Sequence, residues 1–365
     1  MTSHAFRVAT PMHRLRALLL TTALASPALA LAQDIDPYYA EYKDWTLTCD
    51  NLGRCEASAL VDGSKAALRL VREAGPSTPT LIKLSSAGEL RVEDFRVDGQ
   101  ETPLSEAIDW GHPTSRKGGS QFVLDGQYGQ YVVDALRNAS QLSLGPRAGD
   151  ATISLAGMTA ALLSMDAQQR RLDTEGALIR KGPLPEARAT APRTMPRVPT
   201  WPLSTKPVEA GLLSATQAAR GEWVNGACAG KRPTDPRDRA HPLTDTHVLV
   251  LLECQRSGDR SWFMGFKVDR TQRSEPEMAT TTTPPGAWSL SAPGWASPEL
   301  DPTTGTLRFD APADADRRCG YRVTQRFDGN AFSLVDYREQ KRCAGLPDDW
   351  PVWYRSTPEP ISAAQ

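Results

Sequence analysis

The chain of 365 residues holds six cysteines, and they come in three close pairs: Cys49 with Cys55, Cys228 with Cys254, and Cys319 with Cys343. Six cysteines can join in many ways, but this clustering favours the three local pairings, each stapling neighbouring segments. Such bridges persist in an oxidising compartment. The start of the chain points to one: Arg7, Arg14 and Arg16 precede the apolar run ALLLTTALASPALA, whose small residues suit cleavage after Ala30 or Ala32. Residues 1–32 therefore read as a secretory signal peptide, and no cysteine follows either cleavage point to accept a lipid. The rest of the chain has no run of about eighteen apolar residues, so no membrane span is expected. Without the leader, 42 Lys and Arg lose three members while 43 Asp and Glu lose none, for a net charge near −4. That charge leaves no electrostatic footprint for nucleic acid. A periplasmic or secreted protein is expected.

Roughly 330 residues then remain, more than one hydrophobic core commonly serves, which predicts two domains. The division falls at GPLPEARATAPRTMPRVPTWPLSTK, where repeated proline disfavours regular ladders and favours extended backbone. Residues 183–207 read as a linker between an N-terminal domain at 38–182 and a C-terminal domain at 208–358. Both read as short strands. WTLTC, EASALV, AALRLVRE, TLIKLSS and ELRVEDFRV fill the first, with Leu68 and Leu70 alternating against Lys65 and Arg69 as half-buried strands do. HVLVLLEC, SWFMGFKV, TLRFD, CGYRVTQRF and AFSLVDYRE fill the second, and Asp328-Gly329 marks a tight hairpin. Two segments of the first domain switch to helical spacing: Val132, Val133 and Leu136, and then Met158, Ala161, Leu162 and Met165 after Gly157. The predicted class is mainly β, with α+β character in the first domain and three disulfide staples.

The stretch CDNLGRC around Cys49 and Cys55 admits a hairpin staple, a metal site or a redox pair. Gly53 lets the chain reverse and bring two strand ends together, which suits a staple. A metal would need further ligands that no second cysteine pair or histidine cluster supplies. Redox chemistry would want a CxxC spacing at a helix N-terminus, which is missing.

Catalytic signals are sparse. His112, His241 and His247 follow no metal-binding or triad spacing, and no nucleophile elbow, P-loop or dinucleotide glycine pattern occurs. No cofactor is expected. The carboxylate pair Asp348-Asp349 before Trp350 is the nearest thing to a glycosidase-type couple. Seven of the nine tryptophans fall from Trp201 onward. Trp223, Trp262 and Trp350 read as core, whereas Trp288 and Trp295, set in a Pro- and Thr-rich loop, are the candidates for contact with a partner.

Three passages resemble a known family: DWTLTCDNLGRCEA near the start, ISLAGMTAALLSMDAQQRRL with ALIRKGP, and the closing KRCAGLPDDWPVWYR. Together they are similar to DUF1176, a family of exported bacterial proteins whose function is not established. The chain departs from that pattern at RRCGYR, where the family carries a glycine-rich GDCG. The first domain also resembles invasion-associated locus B proteins in its DWxxxC opening, which implies a β-rich exported fold and an envelope-stress or host-facing role.

The sequence reading is a non-enzymatic binding or interaction module of the cell envelope, taking an envelope protein or a glycan. The alternatives are an envelope hydrolase using Asp348 or Asp349, and a secreted host-facing interaction protein. Oligomeric state is not encoded in any pattern above.

Overall fold

Strand-forming runs cut by Asp, Asn and Gly turns assemble as antiparallel meanders in both halves of the chain. The computed structural model describes residues 37–361 apart from 61–64, 103, 117–118, 125 and 283–293. The leader at 1–32 and Trp288 lie outside the described residues.

The first sheet contains β1 (Tyr38–Tyr42), β2 (Trp45–Cys49), β3 (Cys55–Ala59), β4 (Ala66–Arg72), β5 (Thr80–Ser86), β6 (Thr114–Arg116) and β7 (Gly119–Leu124), in the order β1-β2-β3-β4-β5-β7-β6. A smaller sheet of residues 141–143, 152–154, 96–97 and 100–101 adjoins it. Helices α1 (Gly129–Leu136) and α2 (Met158–Gln168) pack into the same core with the residues that the spacing predicts: Val132, Val133 and Leu136 from α1, Met158, Ala161, Leu162 and Met165 from α2.

Strands β2, β3 and β4 depart from the half-buried pattern, because both of their faces are covered. Their polar alternates Thr46, Thr48, Glu56, Ser58 and Arg69 are buried along with Leu47 and Leu68. Residues near the C-terminus supply the cover: Tyr39 stacks on Trp353, and Arg69 reaches Asp349.

The proline-rich stretch contributes β8 (Arg197–Thr200). Beyond it lie α3 (Leu212–Ala227) and the strands β9 (Arg239–Pro242), β10 (His247–Ser257), β11 (Arg260–Asp269) and β12 (Glu277–Met278), which pair in that order. A further antiparallel sheet runs β13 (Glu299–Asp301), β14 (Thr306–Pro312), β15 (Gly320–Phe327), β16 (Phe332–Gln340) and β17 (Val352–Arg355). The last strand, β18 (Thr357–Pro360), pairs in parallel with β8. Ladder formation here differs from the expectation for so many prolines, and the hydrogen bonds show why. Thr357 donates to the Pro196 carbonyl at 2.8 Å and Ile361 to that of Thr200 at 3.1 Å, so Pro358 and Pro360 occupy alternate positions whose missing N–H would point away from the ladder.

Helix α3 is an addition to the strand-like reading of the second half. It buries only Leu212, Thr216 and Val224, against the strands β10 and β11.

Candidate functional site

Three places gather the residues that could carry chemistry: the CDNLGRC turn, the DDWP segment, and a groove beside α3. In the first, Cys49 and Cys55 face each other across β2 and β3 and are bonded. Asp50 closes the turn, its Oδ1 accepting the N–H groups of Leu52 at 2.9 Å and Arg54 at 3.0 Å. Gly53 takes φ +82°, and a Cβ there would lie 3.2 Å from that of Ala74. The turn is a docking element. Asn51 presents its side chain to the open edge of β17 as a strand would, donating from Nδ2 to the Arg355 carbonyl and accepting the Arg355 N–H at Oδ1, both at 2.9 Å. Arg355 Nε returns to Asp50 Oδ2 at 2.8 Å. Burial raises the Asp50 carboxyl above its ordinary value, against the pull of Arg355.

The other two pairs, Cys228–Cys254 and Cys319–Cys343, are also bonded, so all six sulfurs are occupied. Among the described residues, one cluster of metal-ligating residue types occurs, Asp314 with Cys319 and Cys343, and both of its sulfurs are spent in the disulfide.

The DDWP segment is a second joint. Asp348 sits at φ +57°, a conformation that Asp tolerates, and its N–H donates to the Arg317 carbonyl at 2.8 Å. Its carboxylate accepts Arg317 Nε at 2.8 Å and Arg322 Nη2 at 2.9 Å, and both guanidinium groups also touch Asp310. Trp350 is buried beneath this four-membered ring of charge, with its Nε1–H on the Arg317 carbonyl at 3.1 Å and the Arg322 guanidinium 5.2 Å from the ring centroid. Burial works to raise the Asp348 carboxyl, but Arg317 and Arg322 outweigh it and hold it below the ordinary value. A carboxylate so held is a poor proton donor near neutrality. Asp349 turns the other way, to Arg69 of β4 at 3.1 Å. That arginine also binds Glu56 at 2.7 Å, which Arg54 holds at 3.1 Å. The two aspartates thus serve separate junctions.

The tryptophans are distributed differently from the sequence reading. Trp295 is a core residue and not a free contact: it is 7% exposed, lies against Phe309 and Phe332, and fills the space above Gly265, where a Cβ would come within 2.6 Å of its ring. Trp350 is core as expected. Trp223, read as core, is 49% exposed. It stands on α3 one turn beyond Ala219 and meets Phe266 of β11 edge-on at 6.1 Å. With Met278, itself 52% exposed, and Pro276 it lines a cavity of about 470 Å³. A second hollow of about 290 Å³, bounded by Ala215, Ala219, Val268 and residues 272–276, shares part of that wall. Arg220 closes the rim, donating to Glu275 Oε2 at 2.9 Å and to the Pro276 carbonyl at 2.8 Å. The missed signal was Leu212, Thr216 and Val224 at helical spacing, masked by Gly221 and Gly226, which depress helix propensity.

The fold and its joints define a β-rich, disulfide-stapled protein. The chain belongs to the family described as Protein of unknown function (DUF1176), whose model matches residues 39–357. It is similar to the uncharacterized protein YpfG of Escherichia coli (strain K12), at 26% identity over 335 residues, covering 87% of this chain and 92% of that protein. No solved structure matches.

Proposed function

We propose that this is an exported, non-enzymatic binding module of the cell envelope, which takes an apolar side chain of a partner protein into the groove between α3 and residues 272–278. The observation that carries the reading is the exposed pair Trp223 and Met278 at the mouth of a cavity of about 470 Å³ floored by Phe266. A large aromatic surface left half in water is a common anchor for partners. A protein side chain suits the groove better than a glycan, because its polar rim is already engaged: Arg220 is bound to Glu275 and Pro276, leaving few groups to read sugar hydroxyls. The three disulfides suit the expected periplasmic or secreted setting, and a division into domains at 38–182 and 208–358 is part of this proposal.

The test is site-specific photocrosslinking in the periplasm from position 278 or 219, with position 101 as a distant control. The reading expects one discrete protein adduct from the groove positions, absent from the control and lost on Trp223→Ala. Adducts of equal yield from all positions, or binding to isolated cell-wall glycan that survives Trp223→Ala, would overturn it.

A further inference from the structure

Strand β1 ends the first sheet, and among the described residues no strand pairs its outer edge. The direction of its backbone groups follows from the next strands. Leu60 donates to the Asp44 carbonyl and Asp50 to that of Arg54, so the even-numbered residues of β2 face β3 and its odd-numbered residues face β1. Their partners Tyr38, Ala40 and Tyr42 therefore bond inward, which leaves the N–H and C=O groups of Tyr39 and Glu41 pointing outward. These four groups have no partner among the described residues, and β1 carries no proline or inward-turned charge to blunt the edge. The edge strand beside the groove differs, since Pro276 lacks an N–H and Arg220 caps its carbonyl.

We propose that β1 is a self-association edge, on which a second copy of this chain docks by antiparallel pairing about a two-fold axis through Ala40. The sequence Tyr-Tyr-Ala-Glu-Tyr is nearly palindromic, and this register alone sets Tyr39 against Glu41 of the second copy twice over. Each such pair exchanges two backbone hydrogen bonds, so all four outward groups of both copies are satisfied. Sliding the register to set Glu41 against Glu41 would oppose like charges. Tyr38 then meets Tyr42 of the second copy on the side occupied by Ser164, where these two hydroxyls already gather at 3.3 Å. On the other face, the Tyr39 hydroxyl donates to Glu41 Oε1 of its own copy at 2.6 Å, which holds the two side chains of that face together. Two seven-stranded sheets become one continuous sheet. A strand edge buries far less area than a standard interface, so the dimer is weak and concentration-dependent.

Sedimentation velocity on the purified chain at rising concentration tests this. A reversible monomer–dimer equilibrium is expected, and Glu41→Pro, which removes an outward N–H while leaving the β1–β2 ladder intact, weakens it about tenfold or more. An independent variant, Ala40→Cys, traps the axis: residues facing each other in a non-hydrogen-bonded pair lie about 4.5 Å apart at Cα, within disulfide reach. It forms a covalent dimer in air, whereas Glu41→Cys, displaced from the axis, does not. A chain that stays monomeric, a dimer indifferent to Glu41→Pro with unchanged circular dichroism, or equal crosslinking at positions 40 and 41 would each overturn the proposal.

Discussion

Replacing Arg69 with Met isolates the junction at the centre of the fold. Arg69 and Glu56 are both buried, 2.7 Å apart, and Arg69 also binds Asp349, both at its carboxylate and at its carbonyl. Burial works to raise the Glu56 carboxyl, yet Arg69 and then Arg54 hold it below its ordinary value. Removing one member of a buried pair strands the other charge, which costs about 3–5 kcal/mol. Arg54 stays 3.1 Å from Glu56, so the lower end applies. The Asp349 carbonyl also loses its donor, which adds about 1 kcal/mol. Arg69→Met should therefore destabilise by about 4 kcal/mol in urea unfolding at neutral pH, read from the midpoint at constant slope. The pair Glu56→Leu with Arg69→Met removes both charges and should recover part of that loss, because Arg54 keeps Glu73 at 3.3 Å while the Asp349 carbonyl still lacks its donor. If the single variant lies within about 1 kcal/mol of the parent, the charges are solvated and the argument fails. If the double variant is no better than the single, the stranded carboxylate is not the cause.

Asn51→Ala removes both side-chain hydrogen bonds to Arg355 and should cost about 1–3 kcal/mol by the same unfolding assay; a loss under about 0.3 kcal/mol would mean that the turn does not dock through this side chain. Trp223→Ala should leave the melting temperature nearly unchanged while abolishing the groove crosslink, and a large thermal loss would assign Trp223 to packing instead. Glu253 is buried, and although burial opposes ionisation, hydrogen bonds from Arg256 and from the Arg237 N–H lower its carboxyl from 4.5 to about 2. Its stabilisation is therefore present above about pH 4.5 and lost as pH falls toward 2, and Glu253→Gln should flatten the acid limb of the melting profile between those values. Cys49→Ser should cost about 1 kcal/mol less than Cys319→Ser in the loop-entropy account, because the closed loops span separations of 6 and 24 residues; a reversal would place the weight on the docked turn.

The strands, the helices α1 and α2 and the three bridges were legible because each depends on residues close in sequence: a two- or four-residue period, or a cysteine pair flanking a turn. The joints were not, since Asn51 meets Arg355 and Arg69 meets Asp349 across most of the chain, and no local pattern marks Arg69 as buried when Lys65 on the same strand approach is exposed. Alternation on β4 was read correctly as period two but wrongly as one wet face. The groove was missed for a related reason. Trp223 sits on a helix whose glycines and alanines weaken its periodic signal, whereas Trp295 looked stranded in a loop although Gly265 leaves a berth for its ring.

The junction that joins residues 50–69 to residues 349–360 has a temporal side. A ribosome delivers CDNLGRC and β4 first, and their polar buried face must wait while some three hundred further residues emerge before Asp349, Trp353 and Arg355 arrive to cover it. Pairings so far apart in sequence fold slowly. The native state can close only after the final strand is made, so a chain stopped short of residue 349 holds that polar face open to water.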